Sequence, residues 1–261
     1  MSSLRKISFI GSGNVAYNYC KALKNKNIDP CYILTRNVDK IPFIENLFAT
    51  KATTRYEDIL DSDIIIIAVN DGAIKDVVSN LGNYRGIVVH TSGAQLSTLL
   101  DVVDNYGVIY PLQTMTKKNV ADFSKFPLLI TASSSEVLKK ICNFAKMMSD
   151  NVVVCSDEDR RRVHLSAVFV CNFVNVMLQI ADDILKENGY ELSLLEHLVR
   201  ETIDNAMNQT PVQALTGPAR RADFDTINKH LLLLEGKSEE REIYEILTNY
   251  VLKKYKNNEE L

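Results

Sequence analysis

Ile64-Ile65-Ile66-Ile67-Ala68-Val69 is a run of six apolar, mostly β-branched residues with no polar alternation. A strand apolar on both faces is stable where helices cover both faces, so this run predicts the centre of a doubly wound, mainly parallel sheet. The flanking sequence agrees. Short β-rich runs at residues 7–10, 31–35, 87–90, 108–110, 128–131 and 152–155 are separated by helical stretches, as strand–helix–strand units read. After Cys155 the strands stop and the pattern becomes helical. Ser156-Asp157-Glu158-Asp159 is a cap signal for a helix reaching Asn188-Gly189. Ser193 with Glu196 repeats it for a helix to about Asn208, and two more are expected near 223–234 and 238–254, then a frayed tail at 256–261. The expectation is an α/β Rossmann domain over residues 1–155 followed by an all-α domain over 156–261.

Directly after the first strand stands Gly11-Ser12-Gly13-Asn14-Val15-Ala16, a G-x-G-x-x-A pattern leading into a helical stretch. Gly11 makes the tight turn, Gly13 lets the backbone approach a pyrophosphate, and a small residue at 16 permits close helix–strand packing. The helix N-terminus then offers free N–H groups to phosphate. At the end of the second strand, Leu34-Thr35-Arg36-Asn37 lacks the acid that would grip the ribose diol of NAD, while Arg36 suits a 2′-phosphate. The expected cofactor is therefore NADP(H).

Composition narrows the partners. With 30 Lys+Arg against 33 Asp+Glu and a formal net charge of −3, the chain has no cationic excess for nucleic acid. Its five cysteines are odd in number and never form C-x-x-C, which argues against a disulfide framework and a zinc site. The first apolar run is too short for a signal-peptide core, and no stretch approaches about 18 uninterrupted apolar residues. A cytoplasmic, metal-free protein away from membranes is expected.

Loops that follow strands are the preferred ligand positions in such a sheet. Val69 and Asn70, then Thr91, Ser92 and Gly93, then Tyr110 and Gln113 occupy these loops. Val69, Asn70, Thr91 and Ser92 are expected near the cofactor, and Ser92, Gly93 and Gln113 near substrate. Asp71 is read as a helix cap; for Thr91 and Ser92 a capping and a ligand role stand equal. The helix after the sheet domain is apolar except for a stripe of His164, Asn172, Asn175 and Gln179, which at 100° per residue spans roughly 80°. Those groups need partners, either neighbouring helices or a ligand, since a buried unpaired amide costs about 1–3 kcal/mol. His164 is the first candidate proton donor, Tyr110 the reserve, and Asn172 a further site residue. Arg221 and Asp223, in Leu215-Thr216-Gly217-Pro218-Ala219-Arg220-Arg221-Ala222-Asp223, either pair with each other or leave Arg221 to face an anion. His230 reads as a packing residue.

Taken together, G-x-G-N-x-A, T-S-G at 91–93, P-L-Q-T at 111–114, the stretch from His164 to Asn172 and L-T-G-P-x-x-R-x-D resemble the Rossmann-like family with a DUF2520 C-terminal domain. The likeness spans essentially residues 5–250, and it extends more distantly to pyrroline-5-carboxylate reductase, 3-hydroxyisobutyrate and 6-phosphogluconate dehydrogenases and F420-dependent NADP reductases. The resemblance implies an NADP oxidoreductase of a small carbonyl, imine or hydroxy compound, a helical dimerisation domain, and ligand positions at Gly11, Gly13, Asn14, Ala16, Arg36, Thr91, Ser92, Gly93, Gln113, His164, Asn172, Arg221 and Asp223. Two departures stand out: Tyr110 replaces a histidine frequent before the proline, and no lysine occupies the place it holds in hydroxyacid dehydrogenases, where His164 stands with Val168 one turn on. These departures keep a catalytically inactive NADP(H)-binding sensor in view as the alternative.

Overall fold

The computed structural model describes residues 4–256. Eight strands form one sheet: β1 Ile7–Ile10, β2 Tyr32–Leu34, β3 Ala52–Thr53, β4 Ile64–Ile67, β5 Ile87–His90, β6 Tyr106–Pro111, β7 Leu128–Ala132 and β8 Val152–Val154. The order is β3-β2-β1-β4-β5-β6-β7-β8. All neighbours are parallel except β6 and β7, so β7 and β8 run against the rest. The two-residue β3 carries too little pattern to be read from sequence, and β6 begins two residues before its β-branched core because Tyr106 and Gly107 pair with β5 and β7.

The helices of this part are α1 Asn14–Lys24, α2 Ile41–Phe48, α3 Ile74–Val78, α4 Ser135–Lys146 and α5 Asp157–Ala167. Strand β4 explains the architecture: Ile64 and Ile66 enter the core formed with α1, α2 and α4, while Ile65 and Ile67 enter the one formed with α3. Each of these four side chains is at most 1% exposed. Burying one is worth about 1.5–3 kcal/mol, which is why a run without alternation belongs at the sheet centre.

From Val168 to Phe173 the backbone is a π-helix, and α6 Val174–Glu187 follows it in the chain. The chain divides into compact units of residues 1–172 and 173–261, the boundary falling inside the π segment. The element type changes at 155/156, but α5 still belongs to the first unit because its Arg160 is anchored there. The second unit comprises α6, α7 Glu196–Asn208, α8 Pro211–Ala214, α9 Phe224–Leu233 and α10 Ser238–Lys256.

Ser156 caps α5 as expected, its hydroxyl accepting the Asp159 N–H, and Gly189 ends α6 at φ +76°. Ser193 does not cap α7. Residues Leu192–Leu195 form a 3-10 turn instead, and α7 starts at Glu196 with no side-chain cap. The frayed tail expected at 256–261 lies, beyond Lys256, outside the described residues.

Candidate functional site

Gly11 follows β1 at φ +108°, and a Cβ there would lie 2.4 Å from the Ala68 carbonyl oxygen. Both the backbone conformation and the approach to β4 therefore demand glycine. Gly13 precedes α1 with open space where a Cβ would stand, and no side chain caps the helix. Asn14 and Val15 begin the helix, whose first turn lacks acid, while Ala16 is fully buried against the sheet. The N-terminal amides of α1 are thus left for an anion.

A cavity of about 350 Å³ opens beside this loop. Gly11, Ser12, Gly13, Val69 and Asn70 line one side, and Thr35, Arg36, Asn37, Lys40 and Tyr56 another, with no carboxylate in the lining. Asn37 uses its side-chain oxygen to accept the Asp39 N–H, so Arg36 and Lys40 carry the charge here. Two cations and no acid fit the 2′-phosphate of NADP and oppose the ribose diol contact of NAD. Sequence reasoning missed Lys40 and Tyr56. A second cation four residues after Arg36, at the start of the next helix, was the available signal for Lys40. Burial pushes the Tyr56 phenol up, although Asn80 and Arg36 pull the other way.

Thr91 and Ser92 do not line the cavity. The Ser92 hydroxyl donates to Asp71 at 2.8 Å and accepts the N–H groups of Ala94 and Gln95 at 3.1 Å each, which is a turn-capping role. Asp71 is not a helix cap: its carboxylate receives Ser92, and Asn70 precedes the 3-10 turn without a side-chain cap bond.

Tyr110 and His164 come together. The phenol oxygen lies 2.9 Å from His164 Nδ1, with the rings edge to face. Burial raises the Tyr110 pKa, Cys171 and Asp71 adding to it, so the phenol stays protonated at neutral pH. Gly93 packs on this pair, where a Cβ would meet His164 Nδ1 at 2.6 Å and Tyr110 Cζ at 2.8 Å. Cys171 Sγ lies 3.0 Å from the Thr114 hydroxyl, while Gln113 is exposed and its side-chain oxygen accepts the Thr114 N–H. Asn172 is exposed at the end of this unit.

The expected polar stripe does not hold its register. The π-helix, with i→i+5 bonds, breaks the 100° step between His164 and Asn175, and Gln179 donates its amide to Asn175 at 2.6 Å. No residue of the π segment or α6 is buried, so these amides carry no burial penalty within the chain.

Behind Gly93 lies a buried polar network. Arg160, fully buried, donates to the Thr131 hydroxyl at 2.7 Å and to the Gln95 carbonyl, and it pairs with Asp157 at 2.7 Å. Asp157 also accepts the N–H and hydroxyl of Ser97 at 2.9 and 2.8 Å. His90, fully buried, accepts the Ser92 N–H at Nδ1 and donates from Nε2 to the Leu96 carbonyl. Burial pushes its pKa down to about 4, so it is neutral at physiological pH. These groups hold the 90–97 loop against α5 and thereby set the distance between Gly93 and His164.

In the second unit Asp223 caps α9, accepting the N–H and hydroxyl of Thr226 at 3.1 and 2.8 Å. It forms no ion pair with Arg221 among the described residues, and Arg221 is exposed beside a cavity of about 440 Å³. His230 is satisfied by the Tyr244 hydroxyl at 2.8 Å, in keeping with a packing role.

Residues 6–92 match the family model for NADP oxidoreductase, coenzyme F420-dependent, and residues 126–251 match that of DUF2520, a domain of unknown function. No curated protein matches the chain. A Bacteroides fragilis protein described as a candidate NADP oxidoreductase is 29% identical, with a TM-score of 0.87 over 96% of this chain and 98% of that one. An imine reductase from Myxococcus stipitatus, solved with NADP+, shares the fold at 15% identity and a TM-score of 0.68, over 97% of this chain and 94% of that one. The Streptococcus pyogenes 1-pyrroline-5-carboxylate reductase shares it at 16% identity and a TM-score of 0.63, over 97% and 98%. With a cavity that fits NADP and matches to both family models, the chain is an NADP-dependent oxidoreductase composed of an NADP oxidoreductase part and a DUF2520 part.

Proposed function

We propose that the protein reduces the C=N or C=O bond of a small compound, with the Tyr110–His164 pair delivering the proton. The carrying observation is the 2.9 Å bond between the Tyr110 hydroxyl and His164 Nδ1, with Gly93 packed on it. NADPH, when bound, supplies the hydride from C4 of its nicotinamide. Tyr110 donates its O–H to Nδ1, which fixes the tautomer with Nε2 protonated; as that N–H protonates the imine nitrogen or carbonyl oxygen, Nδ1 takes the Tyr110 proton, and the phenolate left behind is reprotonated from solvent. Gly93 keeps both rings in place, the Arg160 network keeps Gly93 in place, and Ser92 holds the turn. Gln113 and Asn172 are the proposed substrate contacts. An imine reductase and a pyrroline-5-carboxylate reductase among the fold's relatives support a C=N substrate.

A panel of cyclic imines, keto acids and aldehydes, followed by NADPH consumption, tests the reading. Turnover is expected with at least one class, cyclic imines first. Tight NADPH binding with no consumption across all three classes would overturn it in favour of a binding protein without chemistry.

A second copy of this chain is the proposed partner of the helical part. Among its described residues only Ile227, Leu234 and Tyr255 are buried, while Leu198, Met207, Leu233 and Ile246 stand exposed. Such apolar surface on a helical unit calls for a cover, and the DUF2520 resemblance implies dimerisation there. The helical run Asp157–Glu187 has an 18-residue window of mean hydropathy 1.7, long and apolar enough to cross a membrane by length and composition alone. The run is not an uninterrupted apolar stretch, since Ser166, Asn172, Asn175 and Gln179 break it. Sedimentation in buffer without detergent is expected to give a dimer, and Leu198→Glu with Met207→Glu a monomer. A wild-type monomer, or a protein recovered only with detergent, would sink the proposal.

A further inference from the structure

The loop between β6 and β7 crosses the start of α1, and one buried amide fastens it there. Asn18, fully buried, donates from its side-chain nitrogen to the Asn14 and Thr116 carbonyls at 2.8 and 2.9 Å. Its side-chain oxygen accepts the Ala121 N–H at 2.7 Å. Every hydrogen-bonding direction that matters to this buried amide is used, so residues 116–121 are held firmly over the helix N-terminus.

Lys117 rides on that strap. Its Nζ donates to the Ser12 carbonyl, the second residue of the Gly11-Ser12-Gly13-Asn14 turn, at 2.9 Å, and lies 5.7 Å from the centroid of the Phe48 ring. The residue is half-buried, and among the described residues no ion pair includes it. An ammonium has three donors, and the carbonyl takes one. The other two have no hydrogen-bond partner among the described residues, and the ammonium stands against the glycine turn that precedes the α1 N-terminus, the kind of turn at which a dinucleotide's diphosphate binds. Arg36 and Lys40 stand elsewhere, on the cavity side reached from the end of β2.

We infer that Lys117 is a ligand of the cofactor's diphosphate, a cation brought to the glycine turn from far along the same chain by the β6–β7 loop and separate from the 2′-phosphate cations. The inference rests on the NADP reading of the cavity and adds a division of labour: Lys117 serves the diphosphate of any adenine dinucleotide, whereas Arg36 chooses between NADPH and NADH.

Binding constants of the unmodified full chain for NADPH, NADH, ADP and adenosine 2′-monophosphate test it, measured without substrate alongside each variant's melting temperature. Lys117→Met keeps the aliphatic stem over Phe48 and removes the charge. It is expected to raise the Kd for NADPH, NADH and ADP by about tenfold and to leave adenosine 2′-monophosphate unchanged. Lys117→Arg should restore most of the affinity. Arg36→Ala should show the converse pattern, weakening NADPH and adenosine 2′-monophosphate and sparing NADH and ADP. Wild-type affinity of Lys117→Met for ADP and NADH would reduce Lys117 to a loop tether and overturn the inference. Equal loss for all four ligands, or no recovery in Lys117→Arg, would overturn it too. A wild-type chain that binds neither dinucleotide would defeat the cofactor reading itself, a result distinguishable from all of these.

Discussion

Tyr110→Phe and His164→Ala are each expected to lower kcat by about 10²–10⁴-fold, the usual contribution of a positioned proton donor, with the Kd for NADPH within about twofold of wild type. The separation follows from the geometry, because neither residue lines the nucleotide cavity and their hydrogen bond is packed against Gly93, which does not line it either. Because the phenol orients the imidazole, the two act as a unit, and the double variant should be little worse than the worse single one. Gly93→Ala should give the same profile with both reactive side chains intact, since the new methyl would stand within 3 Å of both rings and force them apart. Undiminished turnover in His164→Ala would remove it from the mechanism. Additive losses in the double variant would mean that the two residues work separately.

Arg160→Met is expected to destabilise the first unit by about 1–3 kcal/mol, less than the full penalty for stranding a buried charge because the Asp157 side chain is partly exposed. At this chain length that lowers the melting temperature by roughly 2–12 °C. Arg160 has no exposed surface, and its loss leaves Asp157 with the Ser97 bonds alone while freeing the Gln95 carbonyl and the Thr131 hydroxyl. The pH dependence distinguishes this from a packing defect. Burial works to raise the Asp157 pKa, but Ser97 and Arg160 outweigh it and hold the carboxyl below its ordinary value. A depressed carboxylate stabilises the fold above its unfolded pKa, near 3.9, and that stability is lost as pH falls through the folded value. The gap between wild type and Arg160→Met should therefore be full at neutral pH and close as pH falls through the depressed value of the wild-type carboxyl, below the ordinary carboxylate range, where Asp157 becomes protonated in both. A gap that is constant through that fall would assign the loss to packing alone. Methionine fills the volume, so a cavity contributes little to the comparison.

The glycine turn was legible because its mechanics are local: strand end, tight turn, close approach and helix start occupy six adjacent residues, 11–16. The absence of acid after Leu34 was equally local, and it led directly to NADP. The caps divided. Ser156 was readable because its hydroxyl meets an amide three residues on, whereas Ser193 carried the same signal and lost to a 3-10 turn at Leu192–Leu195. The role of Arg160 was not legible, because nothing near it in sequence shows that Thr131 and Gln95 wait to receive it.

The sequence by itself determined the layers of the first unit, the cofactor and the helical character of the rest. Each of these follows from short-range periodicity or from residues that act on their immediate neighbours. The tertiary structure alone decided the partnerships at the site. Tyr110 and His164 lie 54 positions apart and Ser12 and Lys117 105 apart, joined only because β6 runs parallel to β1 and β5 and ends at the same sheet edge, its following loop crosses to α1, and the Arg160 contacts seat α5 against the 90–97 loop. It also decided the π turn that unsettles the polar stripe. Hydrogen bonds and charge contacts act over about 3 Å, and only the folding of the sheet brings such distant residues within that reach.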